Sequence, residues 1–585
     1  MGEGQEAMKA IPVTPTVCAN WKDEDNICPR QGKLACSSCK LVLYCGRECQ
    51  VKHWSEHKKS CKSPLMKSHW LPAWDLEVRP PAWSHGAAAT NPHNPFGMDK
   101  HLWGNTPAMD LLQLHRNEGT DYDKDITMLF AASGDLRNVV KTIQSLPDEF
   151  GHRITTTIND REPSITARNA ILLLLAMSTL EEESDQTSVE VLAESLIHVW
   201  YSAMITGDIL SRLQSKVMPL IEKVWQQIAS RKPGTMLGKT WHFKSGASLR
   251  LVLKKEDWAR ALTLLDVPEH LTASNARKIR HAIVLAPERE DYRDRWYFKD
   301  ATPSMRVAKE RFREDGLALP FGHPRLGFDY PNPTIFRAAK SWPINDKGDP
   351  LGGWPDDEVR ATPYRAAEDL YGRLFFYLRG IMTSFIQKIA TGKIHFQLFN
   401  VDATELGQHL EKGSYDRIET SNIPDLHYLG TRETLRCLSP LLKPPPQNRH
   451  ATIVLIYLNA VLDTINSGSE QDVPPGIDRI FQYLPKVDPV AFMRNPQGAE
   501  MYRVWDARNL VLDAEPFFRR YMAMVKFDRI AEELDVAMKE DNTIVDPWPT
   551  RLKLRQGQPG AQEEFATLLS SSFSGLERYV EWKRV

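Results

Sequence analysis

Seven of the eight cysteines in the chain fall between positions 18 and 61, and only Cys437 lies outside that stretch. So dense a cluster permits two kinds of small module, a disulfide framework or a set of metal thiolates. Met1 to Val17 lack the apolar segment of a secretory signal, so a reducing compartment and zinc ligation are expected. The candidate ligands are Cys18, Cys28, Cys36, Cys39, Cys45, Cys49, His57 and Cys61. Eight ligands suit two tetrahedral zinc ions, and the Cys36-Ser-Ser-Cys39 knuckle lets two thiolates reach one of them. Cys49, His57 and Cys61 are spaced by eight and four residues, which puts them on one stripe of a helix. His53 shares that stripe, so spacing admits either histidine. Spacing also leaves open a sequential arrangement with the first four cysteines on one ion.

The remaining composition bounds the function classes. A chain of 585 residues with 42% hydrophobic and 25% charged residues is long enough for several globular units and a large core. Its longest apolar run, Ala170 to Met177, is shorter than the roughly 20 residues of a membrane span. The formal net charge is -1, which gives no overall attraction to nucleic acid. Between Cys18 and Lys67, ten Lys or Arg face five Asp or Glu. Seven thiolates and two zinc ions reduce that local surplus to about +2, too little for a DNA footprint. The expected localisation is intracellular, cytoplasmic or nuclear, with no membrane and no direct nucleic-acid contact.

The string YCGRECQVKHWSEHKKSC resembles the second half of a MYND finger, with its Tyr-Cys, Cys-Gln, Trp, His-Lys and final Cys. That resemblance implies interleaved sites, with Cys18, Cys28, Cys45 and Cys49 on one zinc and Cys36, Cys39, His57 and Cys61 on the other. It favours His57 over His53. The first pair departs from the pattern, because nine residues rather than two separate Cys18 from Cys28. The family binds proline-containing peptides, which places Gln50 and Trp54 in a peptide groove, although Trp54 equally suits a core position. A protein partner recognised through a proline-rich peptide is therefore expected. The chain carries such a segment itself, Pro440-Leu441-Leu442-Lys443-Pro444, read here as a helix end and turn.

Downstream, Ile126-Thr-Met-Leu-Phe reads as a buried strand, followed by the turn Ser133–Asn138 and the helical VVKTIQSL. Further strands are expected at Ile154–Ile158, at Ile394 to Asp402, at Tyr415–Asn422 and from Thr452. The predicted fold is α/β: the finger, then a Rossmann-like doubly wound sheet with a large helical insertion and a helical C-terminus. The expected division is a disordered tail at 1–17, the finger at 18–61, a Pro-rich linker at 62–101 and the first half of the sheet domain at 102–179. A helical insertion follows at 180–391, the second half at 392–462 and a helical region at 463–585.

The order of these pieces resembles a class I methyltransferase that uses S-adenosylmethionine. The resemblance places Ser133 and Gly134 at the cofactor loop, Asp160 at the ribose-binding acid and Asp402 at the adenine-side acid. The turn has a single Gly134 where that family has several glycines, and Arg137 stands where a small residue admits the cofactor. Arg137 is expected to bring bulk and positive charge toward a cationic sulfonium, which disfavours the cofactor. The segments LWGNTPAMDLL, FAASGDLRNVVKTI and TINDREPSITARNAILLL also resemble a domain of unknown function found in fungal MYND proteins and in dynein axonemal assembly factors. A SET-type methyltransferase and a Gly-x-Ser-x-Gly hydrolase both lack their segments here. Cys437, with no motif around it, reads as a buried small apolar residue. The leading expectation is a zinc-binding interaction protein on a degenerate methyltransferase-like scaffold, and the alternative is an active enzyme.

Overall fold

The computed structural model describes residues 16–585 apart from 24–25, 85–92, 99, 183–184, 300–301, 338–339, 468–476, 487–489, 491–492 and 494. Residues 1–15 of the expected tail lie outside the described residues. Thr16, by contrast, is buried, and its hydroxyl donates to Gly32 O at 2.5 Å.

A mixed sheet of nine strands organises the chain. In sequence order the strands are β1 (Ile126–Phe130), β2 (Ile154–Asn159), β3 (Met236–His242), β4 (Ser248–Lys254), β5 (Ile394–Phe399), β6 (Arg417–Glu419), β7 (Thr452–Tyr457), β8 (Val536–Met538) and β9 (Arg578–Arg584). In space they run β8-β9-β7-β6-β1-β2-β5-β4-β3. The pairs from β7 through β4 are all parallel, while β9 is antiparallel to both β7 and β8, and β3 is antiparallel to β4.

Alternation along the central strands covers the sheet on both faces. In β1, Ile126, Met128 and Phe130 join one buried cluster, and Leu129 joins another. In β7, Val454 and Ile456 point with the first set, while Ile453, Leu455 and Tyr457 point with the second. The first face is covered by apolar helices that include Pro163–Leu180, Gln186–Tyr201 and Leu370–Ala390. The second is covered by Thr431–Leu438, Glu515–Val525 and Phe527–Leu534. Pro163–Leu180 is long and apolar enough to cross a membrane by length and composition, but 89% of it is buried inside the protein.

Three expectations need correction. Residues 180–391 are not purely helical, because β3 and β4 form a hairpin that adds to the sheet beside β5. The sequence MLGKTWH/SLRLVLK carries no regular alternation of apolar and polar side chains, so its strands lack a clear period-2 signal among the longer helical stretches. The C-terminal region likewise contributes β8 and β9. Finally, the described part of 62–101 is no loose linker. Trp74 and Trp83 are buried with ring centroids 5.4 Å apart, and Trp83 sits 5.0 Å from both Tyr292 and Tyr502. Proline forbids long elements there, yet the indole surface still drives burial.

Candidate metal centre and sheet crevice

The cysteine-rich module is built on a two-residue hairpin, Leu34–Ala35 with Leu43–Tyr44, and the helix α1 (Arg47–Cys61). Glu48 in the first turn of α1 and Lys58 and Lys59 in the last turn complement the helix dipole. Only Cys49, His57 and Cys61 are buried along α1, all on the inward stripe.

The inward stripe and the hairpin create two donor clusters. Cys18, Cys28, Cys45 and Cys49 form one, and Cys36, Cys39, His57 and Cys61 form the other, with ligand atoms in each within 4.8 Å of one another. The Sγ atoms of Cys45 and Cys49 are 3.4 Å apart, those of Cys28 and Cys45 are 3.8 Å apart, and those of Cys36 and Cys61 are 3.9 Å apart. Cys39 Sγ lies 3.6 Å from His57 Nε2. A tetrahedral zinc with bonds of about 2.3 Å holds its sulfurs about 3.8 Å apart, so the residues present fit the ion. Soft thiolates with one imidazole are the donor set that selects zinc. Both clusters are zinc-binding sites.

The arrangement is interleaved, and the sequential alternative is not adopted. Val17 bridges Gln31 and Trp21 bridges Ile27, both antiparallel, which returns Cys28 beside Cys18. Sequence reasoning missed the groups that surround the sulfurs. Asn20 Nδ2 donates to Cys49 Sγ at 3.4 Å, Arg30 Nη2 to the same sulfur at 3.7 Å and Cys45 N to Cys18 Sγ at 3.4 Å. A four-thiolate zinc site carries a net charge of about −2, which N–H donors and a guanidinium offset.

Residues 24–61 match the family model of the MYND finger. This module is a MYND finger. Residues 102–205 match the model of a domain of unknown function, DUF4470, and no solved structure matches the chain. Cys18 precedes the matched stretch, so its place in the first cluster rests on the geometry.

The finger is fastened to the rest of the chain on its hairpin side. Trp21 Nε1 donates to Gly322 O at 3.0 Å, Ser304 Oγ to Cys39 O at 2.7 Å and Arg365 Nη1 to Lys33 O at 3.0 Å. The outward face of α1 carries Trp54, which is 38% exposed, Val51, which is 65% exposed, and a half-buried Gln50. The Trp54 ring meets His57 edge-on at 5.8 Å, with Lys62 Nζ 5.7 Å from its centroid.

The other predicted residues gather at the carboxyl ends of β1, β2 and β5. Ser133, Gly134, Asp160 and Asp402 line one open crevice of about 910 Å³. Gly134 has φ +56°, a left-handed turn that suits glycine. The Asp160 carboxylate spans this turn: Oδ2 accepts from Gly134 N at 2.9 Å and Oδ1 from Glu162 N at 2.8 Å. Burial pushes its pKa up. Asp402 instead caps the short helix after β5, accepting from Thr404 N at 3.0 Å and Thr404 Oγ1 at 2.7 Å, which holds its pKa down. Asn159, not singled out from sequence, ties the strand ends together by donating to Ala131 O at 2.9 Å and Val401 O at 3.1 Å.

Arg137 does line the crevice, as expected, but its charge is engaged within the fold. Its guanidinium pairs with Asp135 Oδ1 at 2.6 Å and donates to Thr106 O at 2.9 Å and Thr106 Oγ1 at 2.8 Å. Gly104 lies against the same group, where a Cβ would meet Arg137 Cζ at 2.3 Å. The positive charge is thus matched by a carboxylate, and the side chain holds the Gly104–Thr106 strap. Asp135 three residues after Ala132 was the available sequence signal. Near it, Glu419 ends β6 fully buried, and desolvation pushes its carboxyl up to about 7.

One smaller reading also changes, while the internal proline segment keeps the helix end and turn expected of it, after the helix Thr431–Leu438. Cys437 is half-buried rather than buried, with desolvation and then Glu433 raising its thiol to about 11. Leu441 and Leu442 are fully buried, so the internal proline segment is part of the core.

Proposed function

We propose that the chain is a zinc-dependent interaction protein whose finger captures a proline-rich segment of a partner protein across Gln50 and Trp54. The observation that carries this reading is the orientation of α1. The hairpin side of the finger is occupied by the body of the chain, and the aromatic and aliphatic surface of Trp54 and Val51 faces outward. An aromatic face of this kind suits a polyproline II ligand, whose low conformational entropy favours binding. Calorimetry of the zinc-loaded chain with proline-rich peptides tests it. Trp54→Ala should weaken binding at least tenfold, and an unchanged affinity would remove Trp54 from the groove.

The large sheet is, in this reading, a Rossmann-like and methyltransferase-like scaffold that does not hold S-adenosylmethionine tightly. In support of the scaffold, the strand order reverses about β1, between β2 and β6, which is where doubly wound sheets bind ligands. Against tight cofactor binding, both oxygens of Asp160 already accept backbone N–H groups, and Asp402 is engaged as a cap. The open crevice favours a second reading, an active methyltransferase. Micromolar binding of S-adenosylmethionine that disappears in Asp160→Ala would select the enzyme.

A further inference from the structure

The helix α1 carries an exposed stripe beside the one that holds the zinc ligands. Arg47, Val51, Trp54, Lys58 and Lys62 recur at intervals of three and four residues, so they follow one another along a single face. All five are exposed, with Val51 and Trp54 at the centre and cations toward both ends. Lys62, which caps the helix, holds its ammonium 5.7 Å from the centroid of the Trp54 ring. Gln50 lies one turn before Trp54 and borders the same surface.

The charge of this stripe is not matched by the helix itself. From Arg47 to Lys67, six Lys or Arg stand against two Glu. Both carboxylates lie off the stripe: Glu56 pairs with Lys59 at 2.6 Å, and Glu48 sits in the first turn on the flank. Among the described residues, Arg47, Lys58 and Lys62 form no ion pair. The zinc thiolates are buried under the helix, where Asn20 and Arg30 donate to Cys49 and offset part of their charge. A handful of cations on one helix is less than a nucleic-acid footprint requires. The aromatic and aliphatic side chains set between them suit a protein segment instead.

The spacing of the cations sets the pattern a partner must match. At a rise of about 1.5 Å per residue, Arg47 lies about 10 Å before Trp54 along the axis and Lys62 about 12 Å after it. A polyproline II segment laid along the helix advances about 3.1 Å per residue, so these distances correspond to about three or four of its residues. We propose that the partner segment captured across Gln50 and Trp54 is acidic at both ends, with Asp or Glu about three or four residues to either side of the one that meets Trp54. This rests on the peptide groove proposed above and adds the charge of its occupant. One exposed ion pair raises affinity only about 1.5- to 5-fold, so several together are needed for an effect of about tenfold.

The full zinc-loaded chain is titrated by calorimetry with three synthetic peptides that share a Pro-Ala-Leu-Ala-Pro core and carry a pair of Glu, of Ser or of Lys at each end. At about 0.1 M salt the Glu-ended peptide should bind about tenfold tighter than the Ser-ended one, and the Lys-ended one most weakly. These differences should shrink to within about twofold at about 1 M salt, where the screening length falls from about 10 Å to about 3 Å. The exposed pair Arg47→Glu/Lys58→Glu should keep both zinc ions by native mass spectrometry and prefer the Lys-ended peptide. Equal affinities for the three peptides, all weakened by Trp54→Ala, overturn the charge pattern and leave the groove standing. Binding of none of them overturns the groove and this proposal together. A charge-reversed variant that keeps its zinc and still prefers Glu ends overturns the proposal as well. So does a duplex DNA oligonucleotide bound as tightly as the Glu-ended peptide, which would assign the stripe to nucleic acid.

Discussion

Tyr44 Oη lies 3.0 Å from Nδ1 of His53, and this hydrogen bond accounts for the histidine that does not sit among the zinc ligands. Tyr44 is itself buried, and the His53 ring stacks on His57 at 6.2 Å, so two imidazoles one helical turn apart have divided roles. One faces Cys39 and the other faces a phenol.

Metal content should follow this division. The zinc-loaded chain is expected to carry about two zinc ions, and His57→Ala to carry about one, since three thiolates alone leave the second site open. His53→Ala should keep both ions and lose about 1 kcal/mol of stability with its hydrogen bond. Native mass spectrometry with chemical denaturation reads both. A single zinc in His53→Ala and two in His57→Ala would exchange the roles.

Metal removal should loosen more than the finger. Thiolate ligation supplies folding free energy to a module of this size, so a chelator is expected to unfold residues 18–61. The bonds from Cys39 O to Ser304 and from Gly322 O to Trp21 tie that module to the body. Amide exchange around Ser304 and Gly322 should therefore rise on chelation, and unchanged protection there would show the two parts to be independent.

Asp135→Ala should be among the most damaging single changes in the sheet domain. It leaves the Arg137 guanidinium buried without its carboxylate, at a cost of about 3–5 kcal/mol. Urea denaturation measures the loss. A cost below about 1 kcal/mol would mean that Thr106 and solvent suffice for the guanidinium.

Acid should destabilise the chain through two buried histidines, His198 and His323. Desolvation, aided by Arg325, pushes both down to about 3 from 6.5, so the unfolded chain binds protons that the folded chain refuses. Their contribution is present above pH 6.5 and is lost progressively as pH falls from there toward 3. At pH 5.5 each histidine should account for about 1.4 kcal/mol of lost stability. Stability against urea at pH 7.5 and 5.5, compared with His198→Gln, reads the slope. An identical slope in the variant would clear His198 of the effect.

Glu581 in β9 is fully buried and accepts from Thr543 N at 2.9 Å, Ile544 N at 2.7 Å and Lys539 Nζ at 2.9 Å. Glu581→Gln keeps the shape but leaves Lys539 without its counter-charge. A loss of about 3 kcal/mol is expected, with the edge strands β8 and β9 exchanging amide protons fastest. Protection retained in both strands would place their anchor elsewhere.

Much of this protein was legible in local spacing. Cys36-Ser-Ser-Cys39 and the helical stripe of Cys49, His57 and Cys61 specify ligand geometry within a few residues, and the apolar runs at Ile126 and Thr452, the β-branched run at Ile154 and the alternating run at Ile394 specify strands. These signals are local because a helix turn and a strand pleat fix side-chain direction from neighbours alone. Other features had no such basis. Spacing alone admitted both His53 and His57, and where the family pattern favoured His57 only the fold shows His53 held by Tyr44; the charge of Arg137 depended on how Asp135 and Thr106 converge on it. The strands β3, β4, β8 and β9 joined the sheet by pairings with residues far away in the chain. The sheet crevice brings together segments separated by up to about 360 positions, from Lys100 to Asn459. Pairing partners and charge neighbours at such separations are set by packing of the whole chain, which no local period of two or 3.6 residues encodes.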